Sequence, residues 1–256
     1  MYLFHLPSLT SGENWYELAV RLEGDIIQPF LSYFFRYYYP SRSSIPPLPI
    51  EGRPILTSLA FKEKHSSLLY PLQSPFVPLA FLSRGPSRWG ALPFARIATP
   101  TLFQIESITR ARRTIFIQTP NLTSRALLKA LRQALRKEIQ ITLYLPRNMM
   151  VLESLITGWT TTARCVRKLQ KFSKEVAGEL IVEWFQGDER QSFVAEKSHI
   201  KFMVVDEECV VVGSSNCDRP SACTSGEVNV AISDVEFAKN ILSAVKRHQA
   251  TGMLDV

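Results

Sequence analysis

One imidazole, one ammonium and a small polar loop stand late in the chain at spacings suited to gripping a phosphodiester. They are His199 and Lys201, then Asp206, then Gly213, Ser214 and Asn216, written as H-x-K-x4-D-x6-G-S-x-N. In a strand, residues i and i+2 point to the same side. Ile200, Phe202, Val204 and Val205 supply the apolar run of a buried strand over 200–205. A nucleophile and a phosphate-neutralising cation are therefore expected on one surface. Cleaving a phosphodiester takes a nucleophile on phosphorus, an acid for the leaving oxygen and donors for the nonbridging oxygens. Imidazole can serve in either of the first two roles. Lys and amide donors suffice for the third, so no metal and no cofactor is called for.

The whole string resembles the HKD motif of the phospholipase D superfamily, with no departure at its fixed positions. Further support comes from Ser107-Ile108-Thr109-Arg110-Ala111-Arg112-Arg113-Thr114-Ile115-Phe116-Ile117-Gln118-Thr119-Pro120-Asn121-Leu122, which is similar to the opening of a phospholipase D lobe, especially in cardiolipin-synthase-like members and related fungal proteins. The resemblance implies that His199 attacks as a phosphohistidine-forming nucleophile or acts as general acid. It also implies that Lys201 and Asn216 hold the phosphoryl oxygens, with the Ser214 hydroxyl or backbone amides beside them. Glu227, 28 positions after His199, is then the acid expected to accept from the far ring nitrogen and fix the tautomer. Asp206 and Gly213 are implied as supporting residues, Asp206 capping the turn into the strand Cys209–Val212. The loop from Asn216 to Ser221 is either a cradle for a headgroup phosphate or an ordinary Asx-Pro turn.

The elements that must position these residues read as β/α alternation. Helices are expected at Thr101–Arg112, Ser124–Lys137, about Val151–Ala177 and Val235–His248. Strands are expected at Thr114–Gln118, Ile139–Leu145, Glu179–Phe185, 200–205, Cys209–Val212 and Val228–Ser233. That alternation predicts an α/β fold, and the resemblance makes it a phospholipase D-like α-β-α sandwich with a mostly parallel sheet. Ten of the 16 prolines fall between Pro40 and Pro93, which reads as a Pro/Ser-rich linker over 41–95. It separates residues 1–40 from a main lobe at 96–256.

The first block offers a strand Glu17–Leu22 and a helix from Asp25 to about Tyr39. Glu17-Leu18-Ala19-Val20-Arg21-Leu22 alternates like Glu227-Val228-Asn229-Val230-Ala231-Ile232, so the chain reads as internally duplicated. Two-lobed superfamily members carry one motif per lobe, and the resemblance makes 1–40 the remnant of a first lobe without its histidine. His5, His65 and His248 lack a Lys two positions on and are read as packing or surface residues.

At 256 residues and 46% apolar content the chain can bury a sizeable core. Its net charge of +7 favours anionic partners, phospholipid or nucleic acid. Basic residues Arg164, Arg167, Lys168, Lys171 and Lys174 mark the expected long helix either as a solvated face or as a lipid-binding one. Cys165, Cys209, Cys217 and Cys223 form no C-x-x-C pair, and no run of 18 apolar residues is present. The expectation is free thiols and an intracellular protein, cytoplasmic or peripheral to a membrane.

Three functional readings stay open. One is a phospholipase D-like phosphodiesterase or phosphatidyl transferase acting on phospholipid. The second is a single-motif nuclease whose second histidine comes from a homodimer, with nucleic acid the less favoured substrate. The third is a truncated paralogue that binds anionic ligands without turnover.

Overall fold

The computed structural model describes residues 2–7, 14–20, 22, 24, 26–38, 77–86, 97–146, 160–185 and 197–254. Two N-terminal strands, β1 (Tyr2–Pro7) and β2 (Asn14–Ala19), precede helix α1 (Ile27–Tyr38). Then come β3 (Leu79–Arg84), α2 (Thr99–Arg110), β4 (Thr114–Gln118), α3 (Arg125–Arg136), β5 (Gln140–Pro146) and α4 (Thr162–Ser173). The chain continues through β6 (Leu180–Phe185), β7 (Lys197–Ser198), β8 (Phe202–Val205) and β9 (Cys209–Gly213). It closes with α5 (Arg219–Cys223), β10 (Glu227–Ser233) and α6 (Val235–Leu254).

Seven strands form the main sheet in the order β3-β10-β9-β8-β4-β5-β6. Only β4-β5 and β5-β6 pair in parallel; the other four pairings are antiparallel. The sheet is therefore mixed, which corrects the mostly parallel expectation. The cause is connection length. Parallel neighbours need a crossover, which α3 and α4 supply, whereas β8 and β9 are joined by a tight turn that forces them antiparallel. In that turn Asp206 and Glu207 both take φ of +55°, the left-handed backbone that matches a hairpin's twist.

The faces follow from strand alternation. Ile115, Ile117, Ile141, Leu143, Met203, Val211 and Ala231 point to one side, where Ile108 of α2, Leu127, Leu131 and Leu135 of α3 and Val166 and Leu169 of α4 cover them. Phe116, Phe202, Val204, Val210, Val212, Val230 and Ile232 point to the other, under Phe237, Ala238, Ile241 and Val245 of α6. In α3 the buried positions 127, 130, 131, 134 and 135 make a single apolar stripe. The three-layer α-β-α sandwich stands as expected.

Two boundaries shift. Leu79–Arg84 lies in the stretch read as linker, yet it is the edge strand beside β10, with Glu227 opposite Arg84. Phe30 and Tyr33 of α1 pack against Phe81 of that strand, with ring centroids 4.4 and 6.3 Å apart. The first block's helix thus leans on the main sheet. β2 joins a separate three-stranded sheet, antiparallel to β1 and parallel to β7. Glu17 stands mid-strand opposite Phe4, whereas Glu227 opens β10, so the two acid-led segments occupy unlike positions. The long basic helix starts only at Thr162, where the Thr161 hydroxyl accepts from the Arg164 amide. The first part of its expected span, like His65 and most of 41–95, lies outside the described residues. Among the described residues no helix is long and apolar enough to cross a membrane.

Candidate functional site

The site grows out of one end of β8, β9 and β10. The Gly213 amide donates to the Lys201 carbonyl at 3.4 Å, and Gly213 stands opposite Asn229. Lys201, just before β8, Gly213 at the end of β9 and Asn229 on β10 therefore lie abreast. Alternation from Met203, Val211 and Ala231 puts them on the face covered by α2, α3 and α4. His199, two residues before Lys201, is held from behind: the Gln118 amide donates to the Ser198 hydroxyl at 2.7 Å, both buried.

Lys201 turns back on the histidine. Its Nζ lies 2.7 Å from both His199 Nδ1 and Nε2 and donates to the His199 carbonyl at 2.7 Å. A neutral imidazole accepts at one nitrogen only, so the ammonium donates to whichever carries the lone pair. Both side chains are half-buried. The two side chains are thus brought together, in the link before β8 rather than on the strand expected from residue 200.

Gly213 is glycine for a steric reason. A Cβ there would sit 2.2 Å from the Val228 carbonyl oxygen and 2.4 Å from Asn229 Oδ1. The space is taken because Asn229, 2% exposed, folds its amide over the glycine and accepts from the Ser215 amide at 3.1 Å. Asn229 was not among the sequence-based candidates. Its signal was present in the Glu227-Val228-Asn229 alternation, which puts both polar side chains on one face of β10.

The amides of residues 214–217 all have partners within the fold. Ser214 N donates to the Val228 carbonyl, Ser215 N to Asn229, Asn216 N to the Ser221 hydroxyl and Cys217 N to the Thr119 hydroxyl. These four amides are consumed in shaping the loop. The Ser214 hydroxyl also has partners of its own, donating to Glu227 Oε2 at 2.5 Å and accepting from the Val228 amide at 3.0 Å.

That bond revises the reading of Glu227. The carboxylate is 6% exposed and its partner is Ser214, not the His199 ring. The physical reason is local. Ser214 lies between β9 and β10 with its side chain turned toward β10, so it meets the carboxylate first. Asn216 is likewise turned from its expected task. Its Nδ2 donates to Asp218 Oδ2 at 3.2 Å, and its Oδ1 is buried without a partner. A carboxylate can only accept, so Asp218 fixes which end of the amide faces it.

Asp206 sits at the far end of the β8-β9 hairpin. Its Oδ2 accepts from Arg112 N at 2.9 Å, and its Oδ1 accepts from Arg113 N and Thr114 N at 2.8 and 3.0 Å. It ties the hairpin to the start of β4 and touches no other motif residue. The Asn216–Ser221 loop proves to be a helix start: Asp218, 1% exposed, caps α5 by accepting from Ser221 N at 2.8 Å. Arg84 closes the other end of α5 by donating to the carbonyls of Ala222 and Cys223. The Cys217 carbonyl accepts from the amides of Thr123 and Ser124 at 3.0 and 3.1 Å, so the loop is also pinned to the start of α3.

Burial pushes the Cys217 thiol up to about 12, against a smaller lowering by the Thr119 hydroxyl and with a further push from Asp218. Tyr144, on the opposite face, is pushed up to about 12 by burial and then by Glu183. All four cysteines are free thiols. Among the described residues no group of three or more His, Cys, Asp or Glu converges as metal ligands.

The family described as cardiolipin synthase, PLD-like domain, matches residues 104–248, more than half of the chain. Among curated relatives, the major cardiolipin synthase ClsA of Bacillus subtilis is 31% identical over 143 residues, which are 56% of this chain and 26% of that protein. The match thus spans about a quarter of that relative's length. Among solved structures, NucT from Helicobacter pylori superposes with a TM-score of 0.51 at 16% identity, covering 67% of this chain and 95% of NucT. Phosphatidylserine synthase from Haemophilus influenzae gives a TM-score of 0.51 at 13% identity, covering 73% of this chain and 40% of the synthase. At such identities the two structures establish a shared fold.

Proposed function

The chain belongs to the family of cardiolipin synthase, PLD-like domains, and on that premise we propose that it acts on the phosphodiester bond of a phospholipid, as a phosphatidyl transferase or hydrolase. The observation that carries the reading is the Lys201 ammonium 2.7 Å from the His199 ring, on the sheet face where Asn229 and Glu227 also stand. A bound phosphoryl group takes the place of that contact. Its negative oxygens draw the ammonium off the imidazole and leave a ring nitrogen aimed at phosphorus.

His199 then attacks phosphorus, a P–N bond forms, and the P–O bond to the first alcohol breaks as that oxygen takes up a proton. In the second half a new alcohol or water loses its proton and attacks, and the P–N bond breaks to return the imidazole. Because the amides of residues 213–217 are spent within the fold, charge on the nonbridging oxygens falls chiefly to Lys201. Groups of this kind are worth about 100- to 1,000-fold in rate. Glu227 acts through Ser214, holding the loop beside the ring.

One imidazole cannot attack phosphorus and protonate the opposite oxygen in the same step. The reading therefore calls for a second acid, and a twofold homodimer supplies it when two copies of His199 meet across the axis. The test is an assay of purified protein on phosphatidylglycerol vesicles and on single-stranded DNA, with His199→Ala as control. Phosphatidyl transfer or lipid hydrolysis that vanishes in the variant supports the reading. DNA cleavage with the same dependence replaces it with a nuclease, and no turnover on either makes the chain a binding protein.

A further inference from the structure

Two adjacent helices carry as much positive charge as the chain's whole net excess. Helix α3 carries Arg125, Lys129, Arg132 and Arg136, and α4 carries Arg164, Arg167, Lys168 and Lys171; neither helix contains an acidic residue. All eight side chains are exposed. Together they contribute +8 where the whole chain sums to +7, so everything else nets to −1.

The two helices form one continuous face. The Arg132 and Arg136 guanidinium groups of α3 lie 5.8 and 5.1 Å from the Phe172 ring of α4. Each helix has 12 residues, about 18 Å of length, so eight like charges crowd a small area and repel one another. Two of them also oppose their own helix: Arg125 and Arg164 lie in first turns that hold no acid, where the positive end of the macrodipole disfavours a cation. Nothing within either helix offsets that cost. An anion from outside would.

The face also borders the site. Both helices start at its loops, α3 through the Thr123 and Ser124 amides on the Cys217 carbonyl and α4 through the Leu122 amide on the Thr162 hydroxyl at 3.0 Å. We infer that the α3–α4 face docks the protein on an anionic phospholipid bilayer and brings His199 to the headgroup layer. This rests on the phospholipid reading above for its choice of polyanion. A bilayer fits this face better than nucleic acid does. Long cationic side chains reach a planar headgroup layer from a helical surface. Single strands are bound by stacking bases on open aromatic rings, and Phe172, the only aromatic residue on either helix, already has two arginines over it.

The test compares the full chain with a quadruple variant, Lys129→Gln, Arg167→Gln, Lys168→Gln and Lys171→Gln, which leaves the Phe172 contacts in place. Co-sedimentation is measured at about 0.1 M salt, where exposed charges still act over roughly 10 Å. The vesicles are phosphatidylcholine alone, or phosphatidylcholine with about one-third phosphatidylglycerol. Binding is expected only to the anionic vesicles. At about fivefold per charge near such a surface, the variant should lose affinity on the order of several hundredfold. Anionic-vesicle affinity kept within about threefold in the variant would overturn the inference. So would single-stranded DNA bound more tightly than the vesicles with the same dependence on these four residues. Hydrolysis of the soluble diester bis(p-nitrophenyl) phosphate separates the two readings. If His199 is catalytic and the face only docks, the variant keeps that activity; if neither protein has it, vesicle binding still decides the inference alone.

Discussion

Asp206 is the motif residue whose structural task is clearest, and its replacement by Ala is expected to cost stability rather than chemistry. The carboxylate accepts from three successive amides, those of Arg112, Arg113 and Thr114, at 2.8–3.0 Å. Hydrogen bonds to a charged acceptor are worth about 1.5–3 kcal/mol when protected and nearer 0.5–1 kcal/mol when water can replace the partner. Arg112 and Arg113 are exposed and Thr114 is half-buried, so the low figure applies twice and about 1.5 kcal/mol once. Ala must also adopt the left-handed backbone at φ +55°, adding about 1 kcal/mol. The sum is about 3.5–4.5 kcal/mol, a large share of the 5–15 kcal/mol typical of folded proteins. Asp206→Asn tolerates the backbone and keeps one acceptor oxygen, so about half that loss is expected. Urea denaturation checks both: the midpoint should fall in proportion with the slope unchanged. A loss below about 1 kcal/mol for Asp206→Ala, or equal losses for the two variants, would refute the reasoning.

Gly213→Ala is expected to displace Asn229 from the Ser215 amide, costing about 2–4 kcal/mol from overpacking and a lost buried bond; thermal melts and the exchange rate of the Ser215 amide report it. Ser214→Ala removes the hydroxyl between Glu227 and the Val228 amide, and Glu227→Gln should be milder because the amide oxygen still accepts; urea midpoints should rank them in that order. The Cys217 thiol, raised from 9.0 to about 12, stays protonated in the folded state at pH values where the unfolded thiol has ionised. Its contribution is therefore intact below pH 9 and lost progressively between pH 9 and 12, on the order of 4 kcal/mol in all. Cys217→Ser should flatten that part of the stability profile, and a disulfide reagent at pH 8 should label Cys217 only on unfolding.

Most of the lobe was legible in the sequence because its elements repeat their signals at the right period. The apolar stripe of α3 specifies one buried face, and the apolar runs Phe202–Val205 and Cys209–Val212 specify strands buried on both faces. The mixed sheet was less visible, since alternation of helices and strands says which elements exist and not how short turns reverse them. β3 was hidden for another reason: Leu79–Arg84 is six residues long, lies among prolines and gains its place only from β10. At the site, the strand expected over 200–205 starts only at Phe202. His199 and Lys201 therefore stand in the link before it and meet through the lysine's turn back onto the ring rather than through i, i+2 strand geometry. The partners of Glu227 and Asn216 were not legible, because a side chain's choice between neighbours depends on where a loop turns. The Ser214 hydroxyl and the Asp218 carboxylate decide those two cases.

The central claim is that His199 becomes covalently bonded to phosphorus. The direct measurement is intact-protein and peptide mass spectrometry of an acid-quenched reaction with a short-chain phosphatidylglycerol. The account predicts a phosphatidyl adduct on the peptide containing His199, reduced in Lys201→Met and absent in His199→Asn. Lipid turnover that persists in His199→Asn, with no adduct on that peptide in the unaltered protein, would contradict it.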